Sequence, residues 1–395
     1  MASEDSNDRF LPYSIHDLDE QDREAVDQVL RSRWLTTGPK VQEFEDQFAS
    51  FVGANHAVAV NSGTAALHAA LRALNVGPQQ EVIVSPLTFA ASANAALYVG
   101  ATPIFADVDP ESLLIDPQRV ADRVTDKTAA VVAVDYAGQP VDYLELKKAI
   151  DSRKVNRNIP LVADACHALG ASDGDRRVGT LADLSCFSFH PVKHITTGEG
   201  GMVTTDNQQL AERMRVFRNH GILTDHRARE RANTYVYDMV ELGFNYRLSD
   251  LQCALGISQL RRSEGFSQER RRVAACYDQL FAADERIRPL TKRPNTQHGY
   301  HLYVVRLVGT AGTEIRDRVF REMRGRNIGV NVHYRPVYLH TFYQQKLGYR
   351  PGLCPIAEAA FGEILSLPIF PAMTEDDVIR VAQTLQQLLR QELVR

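Results

Sequence analysis

The chain has 395 residues, 44% hydrophobic and 24% charged, with a formal net charge of -4. That is the make-up of a soluble globular protein of two or three domains, without the basic field that nucleic acid or an anionic membrane would call for. Its five cysteines, Cys166, Cys186, Cys253, Cys276 and Cys354, are odd in number and widely spaced, which argues against a disulfide scaffold or a zinc site and for reduced thiols.

The opening MASEDSNDRF is polar and acidic and lacks the basic and apolar regions of a cleavable signal, so a cytoplasmic protein is expected. Asp17 or Asp19 can cap a helix running to about Ser32, RWLTTGP is a turn-rich connector, and Val41 to Phe51 has helical spacing. Residues 1–55 therefore read as an arm with helices. From Ala57 the pattern changes to a strand (AVAV), a tight turn (NSGT) and a helix rich in alanine and leucine. The first amides of such a helix lack intrahelical partners and its dipole favours negative charge, so Ser62, Gly63 and Thr64 can hold a phosphate; a simple N-cap would use the same residues.

Strands follow at EVIVSP, TPIFADV, AAVVAVDY and LVADA, separated by helical stretches, the pattern of a mostly parallel sheet wrapped by helices. Residues 56–255 read as this large α/β domain. Val82 to Ala106 carries no charge and is long enough for a membrane span, but Pro86, Asn94, Gly100 and Pro103 divide it into strand, helix and strand. Phe89, in LTFAAS, is placed either to stack on a ring or to fill the core. Asp164 ends a strand, where open α/β sheets collect ligands, and His167 lies three residues on; a helix cap and a half-buried histidine are the plain readings of the two.

Two apolar runs, Leu184 to Phe189 and one beginning at Gly201, read as buried strands, and the Gly-rich loop between them holds Lys193. Desolvation there would disfavour the ammonium and leave an amine suited to forming a Schiff base with a carbonyl, although a solvated loop lysine is the ordinary alternative. Ser188 alternates with Phe187 and Phe189, so it can face a pocket while they face the core. A charged segment through Val240 reads as a mobile loop, and Ser249 can cap a long helix into the 270s. The arginines at 261–262 and 270–272 read as a solvated face of that helix. Residues 256–395 then read as the long helix and a smaller C-terminal α+β domain, which from Tyr300 offers strand HLYVVRLV, a helix, strand IGVNVHY, Pro-punctuated loops and an amphipathic helix from Thr374.

An amine, a phosphate cradle and a carboxylate for a pyridine nitrogen are what pyridoxal phosphate chemistry needs. SFHPVKHITTGEGGMVTTD closely resembles the lysine segment of the DegT/DnrJ/EryC1/StrS family of sugar aminotransferases. NSGTAALHAAL, TFAASANAALYVGATPIFADVD, ADACHALGA and GFNYRLSDLQCALGISQL resemble its other blocks over nearly the whole chain. The resemblance implies the aspartate-aminotransferase-like (type I) fold of pyridoxal-phosphate-dependent transferases. It implies Lys193 as the lysine bonded to the cofactor, Asp164 as partner of the pyridine nitrogen, Phe89 as a stacking residue, His167 as a cofactor contact, and Ser62, Gly63, Thr64 and Ser188 at the phosphate. Asn245 matches an asparagine that reaches the phosphate from a second subunit, which implies a homodimer with shared active sites.

Within the family, VDYAGQPVDY, RSRWLTTG, HYRPVY and LSLPIFPAMTEDD look most like the branch that aminates the UDP-linked 4-keto sugar of the pseudaminic acid pathway, with L-glutamate as amino donor. Tyr13, Arg33, Trp34, Leu35, Thr36, Val332, His333, Tyr334 and Arg335 would then touch the nucleotide sugar. The branch that makes UDP-4-amino-4-deoxy-L-arabinose is similar too. A dehydratase of the same fold would have histidine in place of Lys193, a non-catalytic regulator would need a DNA-binding extension, and a nicotinamide enzyme would need GxGxxG where this chain has GEGG.

Overall fold

The computed structural model describes residues 9–224, 226–308 and 313–392. Helix α1 (Glu20–Leu30) starts at Asp19, whose side chain accepts from the Asp22 amide while Asp22 returns the contact to the Asp19 amide. Helix α2 (Pro39–Val52) starts at a proline and ends at Gly53, in the left-handed region at φ 83°, where a side chain would strain the backbone. Helix α3 (Gly63–Ala73) is capped by Ser62, and α4 (Ala90–Tyr98) begins after Phe89 without a side-chain cap.

The chain lays down strands β1 (His56–Val60), β2 (Glu81–Val84), β3 (Thr102–Phe105), β4 (Thr128–Val134) and β5 (Leu161–Asp164). A short ribbon follows, β6 (Ser172–Asp173) and β7 (Arg176–Arg177), and then β8 (Leu184–Ser188) and β9 (Gly201–Thr205). Seven of these form one sheet in the order β1-β9-β8-β5-β4-β2-β3, in which only β9 runs against its neighbours. Its strands are almost wholly buried, as a parallel sheet covered on both faces must be. The charge-free stretch is the expected strand, helix and strand (β2, α4, β3), and among the described residues no helix is long and apolar enough to cross a membrane.

Strands β10 (Ile287–Pro289), β11 (Thr296–Gln297), β12 (Tyr303–Leu307) and β13 (Ile364–Leu367) complete the set; β10, β12 and β13 form an antiparallel sheet, and β11 joins the ribbon. The helices Thr313–Gly325 and Glu375–Glu392 pack with that small sheet around a second apolar cluster. The segment expected as strand IGVNVHY instead makes only isolated bridges, Leu11 with Ile328 and Asn331 with Ser366. Ile328 and Val330 are buried in the second cluster, so the alternation is real but records burial rather than a ladder.

The helix Asp250–Phe281, capped by Ser249 as expected, joins both clusters. Cys253, Ile257, Leu260 and Phe266 lie in the core of the large sheet, and Val273, Ala274, Tyr277 and Phe281 in the other. This corrects the expected solvated arginine face: Arg270 is 1% exposed and its guanidinium donates to the backbone carbonyls of Tyr300, His301 and Ile369. The five cysteines are free thiols. In the charged segment before Val240, residue 225 lies outside the described residues; His226–Arg231 is a short helix and Tyr235 to Val240 is exposed.

Candidate active site

The carboxyl edge of the large sheet carries the site. β5 ends at Asp164, β8 ends at Ser188, and the turn after β1 leads through Ser62 into α3. The arm reaches the same place because Leu11 pairs with Asn327 and Gly329, Ile369 donates to the Tyr13 carbonyl, and the Ser14 hydroxyl donates to the Val192 carbonyl. The result is a cavity of about 820 Å³. It gathers Tyr13, Ser62, Gly63, Thr64, Phe89, Asp164, His167, Ser188, Lys193, Val332, His333, Tyr334 and Arg335 from the residues singled out in the sequence.

Lys193 sits half-buried in the loop between β8 and β9, and burial lowers its pKa, against which Cys166 and Asp164 act and which Arg270 reinforces. That is the condition under which a lysine amine is a nucleophile and a base. Asp164 is 6% exposed and its carboxylate is fixed by two donors. The Ser92 hydroxyl donates at 2.5 Å and the Cys166 amide at 3.3 Å, while Ser92 also meets the Thr88 hydroxyl at 2.6 Å. At the end of neighbouring β4, Asp135 accepts from the Val141 amide and the Tyr143 hydroxyl, and burial pushes it up to about 7. Asp135 therefore need not be charged at neutral pH.

Phe89, open to either reading in the sequence, is 64% exposed on the cavity, its ring 6.5 Å from that of Tyr334. His167 meets the Tyr334 hydroxyl at 3.1 Å through Nε2. Burial holds His167 well below, and Tyr334 well above, their ordinary pKa, so both are neutral hydrogen-bonding groups at pH 7. The Tyr136 hydroxyl donates to the His333 carbonyl, and His333 Nδ1 lies 2.9 Å from the Ser366 hydroxyl, which pins the segment carrying Val332 to Arg335.

Five expected residues are not among those lining the cavity. Arg33, Leu35 and Thr36 are exposed, Trp34 is partly so, and Thr36 lines a different cavity with Arg218 and Arg247. Asn245 is exposed, its carbonyl accepting from the Asn61 side chain beside the Ser62 turn. Conversely, sequence reading passed over Ser92 and His301. Ser92 stands three residues after Phe89 in the same helix start, a spacing that was visible; nothing local to His301 marked it.

A model of the DegT/DnrJ/EryC1/StrS aminotransferase family matches residues 16–386. The chain is similar to the spore coat polysaccharide biosynthesis protein SpsC of Bacillus subtilis, 38% identical over 383 residues that cover 96% of this chain and 97% of SpsC. Among solved structures it resembles the pyridoxal phosphate form of the putative sugar aminotransferase Spr1654 of Streptococcus pneumoniae, with TM-score 0.91 and 32% identity over 97% of this chain and 99% of that one. It also resembles Helicobacter pylori PseC, an aminotransferase involved in the biosynthesis of pseudoaminic acid, with TM-score 0.89 and 31% identity over 97% and 100%.

The fold expected from the sequence is the one these structures share, and with the site it defines a pyridoxal-phosphate-dependent aminotransferase. The chain belongs to the DegT/DnrJ/EryC1/StrS aminotransferase family. Its residues fit the cofactor. A Cβ on Gly63 would come 2.8 Å from the Ser188 Cβ and 3.2 Å from the Cys166 sulfur, so the turn at the α3 N-terminus lies directly against Ser188 and leaves its amides for a phosphate. A buried carboxylate, an exposed aromatic ring and a desolvated amine border the same space.

Proposed function

We propose that the protein transfers the amino group of L-glutamate to the 4-keto carbon of a UDP-linked 4-keto-6-deoxy sugar, giving the 4-amino sugar and 2-oxoglutarate. UDP-2-acetamido-2,6-dideoxy-beta-L-arabino-hex-4-ulose, of pseudaminic acid biosynthesis, is the substrate put forward. The observation that carries the reading is the single cavity shared by Lys193, Asp164, the Ser62–Thr64 turn and Phe89, with Tyr13 and Val332 to Arg335 on it. The similarity to PseC favours that sugar; UDP-4-amino-4-deoxy-L-arabinose and other 4-amino nucleotide sugars are the alternative products.

Bound pyridoxal phosphate supplies an electron-withdrawing ring that stabilises negative charge on the carbon where a proton is lost. Ser62, Gly63, Thr64 and Ser188 would hold the phosphate, and Phe89 would lie against the ring. Asp164, oriented by Ser92 and the Cys166 amide, would keep the pyridine nitrogen protonated. Lys193 would bond the cofactor, and its Nζ would be the atom that takes and returns the substrate proton. His167 and Tyr334, both neutral, hold the cofactor and the sugar without adding charge.

A second copy completes the site in this reading. Tyr235, Val236, Tyr237, Met239, Val240, Leu242 and Phe244 are all exposed, an apolar run that a partner surface would cover, and it leads directly to Asn245. Asn245 and Arg33 to Thr36 then serve the partner's cavity rather than their own. The free thiols are consistent with a cytoplasmic location. The test is to incubate the purified enzyme with L-glutamate and a panel of UDP-4-keto sugars and to identify products by NMR. Amination of none of them would sink the proposal.

A further inference from the structure

Lys193 has one side-chain neighbour that no role above employs. Its Nζ lies 3.4 Å from Nε2 of His301, a residue 2% exposed at the start of the run into β12. The Nδ1 of that ring is buried without a hydrogen-bond partner, so Lys193 is its one polar contact among the described residues.

The backbone that presents this ring is held from several sides. The buried Arg270 guanidinium donates to the carbonyls of Tyr300 and His301 at 3.3 and 3.4 Å. Gly299 donates to the Gly138 carbonyl and Leu302 to the Ala137 carbonyl, at 2.8 and 3.1 Å. A Cβ on Gly138 would stand 2.7 Å from the Tyr300 nitrogen and 3.0 Å from that of His301, so only glycine permits the approach. Tyr300 itself is in the left-handed region at φ 49°, a conformation that the surroundings must maintain. His194, next to Lys193 in sequence, meets the Gly299 carbonyl at 2.8 Å through Nε2 and so ties the lysine loop to the same segment. The same guanidinium donates to the Ile369 carbonyl at 2.9 Å, so a costly buried charge ties this loop to the segment after β13 and holds it still.

We propose that His301 is a positioning residue for the Lys193 amine, its Nε2 receiving an N–H of Nζ whenever the lysine is free of the cofactor. This rests on the reading of Lys193 as the amine that moves the proton. The groups facing the pair are Asp164 and Cys166 on the side of β5, His167, His194, His333 and Arg270. Burial, with Lys193, His167, His194 and Arg270 adding repulsion, keeps the His301 ring neutral and therefore able to accept. Such an acceptor stabilises the ammonium in an otherwise desolvating site and fixes the direction in which the neutral amine points.

The experiment measures the pH dependence of Lys193 acylation by acetic anhydride in cofactor-free protein, read by peptide mass spectrometry, alongside the rate of the half-reaction of holoenzyme with L-glutamate. In His301→Phe, which fills the space without an acceptor, the Lys193 titration should fall by about one pH unit, tenfold in the protonation equilibrium. The half-reaction should slow by about tenfold with the KM for glutamate unchanged. His301→Gln, which offers a carbonyl oxygen, should restore both. His301→Asn, too short to reach, takes the place of the phenylalanine variant if that one does not fold. An unshifted titration overturns the proposal, as does equal damage in the phenylalanine and glutamine variants, which would mean that the ring only fills space. A borohydride-reduced cofactor adduct on a residue other than Lys193 overturns it too, and locates the failure in the reaction assignment rather than in His301.

Discussion

Replacing Asp164 by Asn removes one negative charge from the site while changing little else. The carboxylate is buried and receives the Ser92 hydroxyl at 2.5 Å and the Cys166 amide at 3.3 Å. The amide oxygen can keep the contact from the Cys166 amide, and the NH2 group, standing where the other oxygen faced Ser92, can donate to the Ser92 hydroxyl, which can turn toward Thr88, 2.6 Å away. Folding should therefore survive. What the proposed role would lose is the charge that keeps the pyridine nitrogen protonated, a charge-assisted contact of about 1.5–3 kcal/mol. If that energy is present only when the ring accepts electrons, kcat falls by roughly 10- to 150-fold, at about 1.4 kcal/mol per factor of ten. Cofactor affinity, held mainly by the phosphate cradle and Lys193, should change less. Stopped-flow absorbance of the half-reaction with L-glutamate, together with a pyridoxal phosphate titration, separates the two quantities. Turnover within threefold of wild type in fully loaded protein would refute the role of Asp164.

Three further outcomes are expected. Gly63→Ala pushes a Cβ to 2.8 Å from Ser188 and so should raise the cofactor dissociation constant by about tenfold, measured by fluorescence quenching, with the fold intact by circular dichroism. His194, His298 and His333 are each held down to about 3, chiefly by burial, against about 6.5 in an unfolded chain. The unfolded chain thus binds more protons below pH 6.5, so urea stability should fall with pH from there by up to about 4 kcal/mol per pH unit; equal midpoints at pH 7.5 and 5.5 would contradict the burial. Mixing inactive Lys193→Ala and Asn245→Ala subunits should restore about a quarter of wild-type activity, because a hybrid dimer has one intact site; no recovery after subunit exchange would show that Asn245 does not serve the partner.

The reach of sequence reasoning followed where the signal was local. Asp164 and Ser62 could be placed because one ends a strand and the other starts a helix, and Lys193 because its loop is bracketed by two apolar runs; such boundaries are legible from apolar runs and turn residues. Phe89 was ambiguous for a physical reason: an aromatic after a strand fits a core or a cavity wall equally well until the surrounding chain is known. IGVNVHY looked like a strand because Ile328 and Val330 alternate into the second apolar cluster, a pattern that burial produces without a ladder. Arg270 read as solvated because its neighbours Arg271 and Arg272 reach acids on the same helix, whereas its own direction is set by a loop 30 residues away. Arg33 to Thr36 and Asn245 lie away from the cavity of their own chain, and the proposal assigns them to that of a partner. His301 was silent because what marks it is proximity to Lys193, 108 positions distant.

The helix Asp250–Phe281 gives its first half to the core of the large sheet and its second half to the C-terminal cluster. Helices are cooperative, and most of the stability of one this long comes from the apolar stripes that it buries. Unravelling either half strips a stripe from the other's continuation, so the two clusters share one melting event instead of keeping separate ones. The same shared element sets a limit on motion: Arg270, at the changeover between the halves, grips the loop behind Lys193, so any swing of the C-terminal unit is felt at the amine as a change of aim.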